Sequence, residues 1–96
     1  MQDSELLLSA LNALIGHVTP NLRCVRVEEK NNVFILNFYY DKSPTDDEIE
    51  LASLTDTEFS SDFPSPEYET DFYISTLPYP EPIPKNGQCV YRRYEE

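Results

Sequence analysis

The chain has 96 residues, with 18 acidic and 7 basic side chains and a formal net charge of -11 at pH 7. That charge excludes a phosphate backbone as partner, because such binding needs clustered Lys and Arg, and it favours a basic protein partner or plain solubility. The length predicts a single domain over 1–96 with a modest core, and 40% hydrophobic content with seven Tyr and five Phe excludes a disordered acidic chain.

"DSELLLSALNALIG" predicts a first helix near 4–15. Asp3 or Ser4 can cap it, Glu5 suits its first turn and Gly16 suits its stop. Leu7, Leu11, Leu14, Ile15 and Val18 recur at helical spacing and are expected to lie on a sheet. The segment opens acidic, without the basic region of a signal peptide. Its apolar stretch is too short and interrupted to span a bilayer. A cytoplasmic protein with no membrane partner is the expectation.

"LRCVRVEE" and "NVFILNFYY" flank "KNN" and predict a hairpin, with strands near 21–29 and 32–41. In the second run Phe34, Leu36, Phe38 and Tyr40 share one face and Val33, Ile35 and Tyr39 the other, the pattern of a central strand.

"DKSPTDDE" turns the chain, with Ser43 the candidate N-cap and Pro44 at the first helical position. A second helix is expected near 45–62, with Ile49, Ala52, Phe59 and Phe63 on one side and Leu51 and Leu54 widening it. It carries Asp46, Asp47, Glu48, Glu50, Asp56, Glu58 and Asp62 and no Lys or Arg. The helix dipole favours Asp46, Asp47 and Glu48 in the first turn. Glu50, Asp56, Glu58 and Asp62 are left uncompensated on a segment that reads as uniformly solvated.

"PSP" ends this helix, and "YETDFYISTL" predicts a third strand near 67–77 with Tyr68, Thr70, Phe72 and Ile74 on one face. The prolines of "PYPEPIP" stand two apart, at 78, 80, 82 and 84. A PxxP ligand needs a spacing of three, so this run is a stiff connection. "GQCVYRRYE" predicts a fourth strand near 87–95. The order α-β-β-α-β-β predicts an α+β fold: a four-stranded, largely antiparallel sheet with both helices on one face.

Little in the chain suggests catalysis. His17 is the one histidine, and no partner nucleophile or carboxylate is marked for it. Two glycines cannot build a phosphate-cradling loop. Cys24 and Cys89 lack CxxC spacing, so structural zinc is not expected and reduced thiols are. The expectation is a non-enzyme with no catalytic, cofactor or metal site. Arg92 and Arg93 alternate to opposite faces and are too few for nucleic acid.

The dominant feature is acidic. From Asp41 to Asp71 there are eleven acids against one base, Lys42. A solvated face is one explanation. The other is a surface that steers and binds a basic protein. Its candidate residues are Asp46, Asp47, Glu50, Asp56, Glu58, Asp62, Glu67, Glu69 and Asp71, with Tyr68, Tyr73 and Tyr79 as aromatic anchors.

"GHVTPNLRCVRV", "ILNFYYDKSPTDDEIELAS", "TEFSSDFP" and "LPYPEPIPKNGQCVYRRYEE" run in order through nearly the whole chain. Together they resemble a family of small bacterial proteins, the immunity partners of polymorphic toxins, including contact-dependent growth inhibition systems. The resemblance implies a cytoplasmic inhibitor that binds a cognate toxin's C-terminal domain, often a basic nuclease. It carries over no interface residue, because such proteins diverge most where they touch the toxin. An acidic nucleic-acid mimic that inhibits a DNA-binding protein is the alternative function.

Overall fold

The computed structural model describes residues 3–63 and 68–95. The elements run α1 (Asp3–Leu14), β1 (Leu22–Lys30), β2 (Val33–Tyr40), α2 (Asp46–Ser60), β3 (Glu69–Thr76) and β4 (Gln88–Arg92). Asn31 and Asn32 join β1 to β2 with φ of 52° and 65°. Two positive φ values in a two-residue loop are what a tight hairpin demands, and asparagine tolerates them. Gly16, at φ 84°, stops α1 as expected.

The sheet order is β3-β2-β1-β4. β1 pairs antiparallel with both β2 and β4, and β3 pairs parallel with β2. The sheet is therefore largely antiparallel, with one parallel pair at its β3 edge. A parallel pair needs a long crossover, and α2 supplies it.

Phe34, Leu36, Phe38 and Tyr40 of β2 are all buried and share one face by alternation. Val25 stands opposite Phe38 and Val27 opposite Leu36, while Phe72 and Ile74 flank the other side. Both helices cover this face, contributing Leu6, Ala10, Ala13, Leu14, Ala52 and Phe59 to one core. The proline-rich connection after β3 returns over the opposite face. There Arg26 Nε donates to the Asn86 carbonyl at 2.6 Å, and the Tyr39 hydroxyl donates to Asn86 Oδ1 at 3.2 Å.

The helices bury different arcs from those their leucines suggested. On α1 the buried residues are Leu6, Ser9, Ala10, Ala13 and Leu14, while Leu11, and Ile15 and Val18 past the helix end, are exposed. The two alanines allow close approach to the neighbouring elements, and Leu8 and Leu11 turn outward while Leu6 and Leu14 stay buried. On α2 the buried residues are Glu48, Ala52, Thr55 and Phe59, while Ile49 and Leu54 are exposed. The α2 cap also differs from expectation: it is Thr45. Its hydroxyl accepts from the Glu48 amide at 3.2 Å, and Glu48 Oε1 accepts from the Thr45 amide at 3.0 Å. This reciprocal box satisfies two free amide donors, which Ser43, two residues earlier, cannot do. Strand β4 ends at Arg92, short of the expected 95, because Glu95 leaves the strand for Arg23.

Candidate partner-binding surface

Three side-chain links tie α1 and the segment after it to α2 and the turn that follows α2. Ser9 donates to Asp62, His17 Nδ1 meets Thr55 Oγ1 at 2.9 Å, and Thr19 donates to Glu48. Rising numbers on one side meet falling numbers on the other, so the helices run antiparallel. Their outer surfaces form one layer facing away from the sheet. The single Thr55 hydroxyl proton goes to the Leu51 carbonyl at 2.8 Å. His17 Nδ1 is therefore the donor in its bond to Thr55, which ties the turn after α1 to α2.

Asp46, Asp47, Glu50 and Glu58 are exposed on α2. Among the described residues no α2 carboxylate takes part in an ion pair. The cations are engaged elsewhere or stand on strands and loops. Arg23 holds Glu95, Arg26 holds backbone carbonyls, and Arg93 bridges Asp41 at 3.1 Å and Glu95 at 2.9 Å. Arg93 thus meets acids at the end of the sheet and not the acidic helix, and Arg92 is exposed.

The segment is not uniformly solvated, contrary to the expectation from its composition. Glu48 is buried, and burial by itself pushes its carboxyl up. Hydrogen bonds from Thr19, the Thr45 backbone and Asn21 outweigh that and hold it below the ordinary carboxylate range. Asp56 is half-buried, and one of its carboxylate oxygens is buried without a hydrogen-bond partner. Burial first, and the Asp71 carboxylate second, push its pKa up. Asp62 lies past the helix end and accepts from Ser9.

The remaining candidates do not join this layer as one patch. Glu67 lies outside the described residues. Tyr68 is half-buried and stacks on Phe34, with ring centroids 5.0 Å apart. Glu69, Asp71 and Tyr73 are exposed on β3, in register with Val33, Ile35 and Asn37, on the face away from the helices. Tyr79 is exposed at the far end of that strand, with its ring 5.7 Å from the Arg23 guanidinium carbon. The sequence reading missed the outer side of α1, where Leu8, Leu11 and Ile15 are exposed. The signal was available: α1 is apolar nearly all round, and a helix on a sheet can hide only one arc of that.

A hollow of about 440 Å³ lies at the start of α2, lined by Asn21, Asp41, Lys42, Thr45, Glu48 and Arg93 among others. Its polar groups bond one another: Asn21 reaches Glu48 and the Lys42 carbonyl, and Asp41 accepts from Arg93 and the Tyr79 amide. Among the described residues no group of three or more His, Cys, Asp or Glu is placed to hold a metal, and no helix is long and apolar enough to cross a membrane.

No match to the chain is found among curated proteins. A protein-family model does match, described as MafI2 immunity protein, and it takes in both helices and all four strands. With a match over residues 3–95, this chain belongs to the MafI2 immunity protein family.

Proposed function

We propose that this protein neutralises a cognate toxin domain by covering it with the acidic outer face of its helical layer. The observation that carries this reading is the unpaired charge of α2. Asp46, Asp47, Glu50 and Glu58 are exposed, and among the described residues none of them pairs with a cation. Like charges along one helix cost stability. Retaining them is understandable if binding compensates. The partner this fits is basic, and a nuclease is such a partner, since its substrate groove is built to hold phosphates. Binding there is non-enzymatic inhibition by occlusion.

Exposed rim charges act chiefly on association rate and are screened by salt. The test is stopped-flow association with the toxin domain encoded beside the immunity gene, across a salt series. The variant is Asp47→Asn/Glu50→Gln/Glu58→Gln, which spares Glu48, Asp56 and Asp62 because those contact the protein's own interior. Association should slow about tenfold or more at low ionic strength, within the range steering supplies. The penalty should shrink as salt rises. Equal rates at low salt would reduce α2 to a solvated face.

A further inference from the structure

The outer side of α1 carries an apolar stripe that the fold leaves uncovered. Leu8 is 58% exposed, Leu11 44%, Ile15 71% and Val18 43%. Leu8, Leu11 and Ile15 recur at spacings of three and four, so they line one face of the helix and its first following residue. Leu54, 45% exposed on α2, belongs to the same outer layer. None is part of the core. A contiguous apolar patch with a polar rim marks a contact surface more often than solvated chain does.

The rim has one sign. No Lys or Arg occurs before Arg23, and none occurs within α2. The exposed charges of the layer are Glu5, Asp46, Asp47, Glu50, Glu58 and Asp62, all negative. His17 is half-buried and donates to Thr55. The surface is thus an apolar stripe flanked by acids, Glu5 on α1 itself and the others along α2 and its end.

We infer that this stripe is the desolvated centre of the toxin interface, and that it takes an apolar patch ringed by Lys and Arg on the toxin domain. The inference rests on the proposed function and locates its contact. Charge complementarity selects the occupant. A second copy of the chain would meet this surface with the same surface, as a two-fold interface requires. It would bring two surfaces whose described exposed charges are all negative within the screening distance of about 8 Å. A basic partner meets these acids with opposite charge. The two parts then divide the labour: the acids speed encounter, and the apolar stripe, closed off from water, slows release.

The test uses Leu8→Ser/Ile15→Ser, the two most exposed positions of the stripe, and the toxin domain encoded beside the gene. The variant should keep the wild-type melting temperature within a few degrees and sediment, like wild type, as a monomer. It should associate at the wild-type rate, with wild-type salt dependence, and dissociate at least tenfold faster. In the wild-type complex, amide hydrogen exchange should slow over residues 5–18. Unchanged dissociation, or slowing confined to β3 and the Tyr79 loop, overturns this inference alone. A wild-type dimer that the variant breaks also overturns it, since a second copy then covers the stripe. Wild-type protein that fails to bind the domain at all overturns the proposed function as well.

Discussion

Arg23 and Glu95 meet as a fork, Nε to Oε2 at 2.7 Å and Nη2 to Oε1 at 3.0 Å. Their side chains are 2% and 8% exposed. The irregularity between Leu22 and Cys24 takes Arg23 out of the strand's alternation. Its Nη1 then donates to the Leu77 carbonyl at 2.7 Å. Arg93 extends the cluster to Asp41 and to the Pro20 carbonyl. One buried guanidinium thus ties the start of β1, the end of β3 and the tail after β4. Glu95→Ala leaves that cation without its carboxylate. The expected cost is about 3 kcal/mol, the low end for breaking a buried pair, read as a lower urea midpoint. A loss below about 0.5 kcal/mol, the size of an ordinary surface change, would show the fork to be incidental.

Acid should unfold the protein through two named carboxyls. The Arg23 hydrogen bond, against the opposing effect of burial, holds Glu95 below its ordinary value of 4.5. Glu48 is held below 4.5 by hydrogen bonds that overcome its burial. Groups with depressed folded-state pKa values stabilise fully above the unfolded value. That stabilisation is lost as pH falls through the folded values. Asp56, whose pKa is raised, works in the opposite sense and gains from protonation. The urea midpoint should therefore fall below about pH 4.5, and the Glu48→Gln/Glu95→Gln variant should lose less between neutral pH and pH 3 than wild type does. Parallel curves for the two proteins would refute this assignment.

Thr45→Ala should cost about 1 kcal/mol, a typical N-cap loss. Ser43→Ala should be neutral within about 0.5 kcal/mol, because Ser43 is exposed and outside the capping box. Chemical denaturation of the two variants beside wild type decides between them.

On α2, Phe59 is 0% exposed and packs edge-on against Phe34 and Phe63. Phe59→Ala should cost about 3–5 kcal/mol, as deletions of a core ring do. Ile49 and Leu54 are 41% and 45% exposed. Their alanine variants should each cost less than about 1 kcal/mol, since little apolar area leaves the interior. Comparable losses at all three positions would place the buried arc of α2 elsewhere.

The two thiols should react unequally. Cys89 is exposed and Cys24 buried, and burial, then the neighbouring Cys89, pushes the Cys24 pKa up to about 11. The thiolate is the reactive form. Titration with a disulfide reagent near pH 8 should find one fast thiol in the native protein and two after denaturation. Two fast native thiols would contradict the burial of Cys24, and none would indicate a disulfide.

The sequence by itself determined the six elements and their order, because each is announced by local chemistry. Asn31-Asn32 supplies the positive φ of the hairpin, Gly16 that of the α1 stop, and alternation through Phe34, Leu36 and Phe38 marks the central strand. It also showed that α2 is acidic and has no base of its own. Only the tertiary structure decided which arc of each helix is covered. Helical spacing reports that apolar residues recur, but α1 is apolar on several sides, and its neighbours choose Ala10 and Ala13 over Leu11 and Ile15. The same holds for Glu48, whose burial depends on donors from Thr19 and Asn21, and for Arg23, whose partner lies 72 residues away. The parallel β2–β3 pairing was equally out of local reach, since the alternation of β3 suits either direction. The division of acids follows from it: α2 carries its charge on the helical layer, while β3 turns Glu69 and Asp71 to the other face. A charge count along the chain cannot separate them, because faces are assigned by contacts between segments distant in sequence.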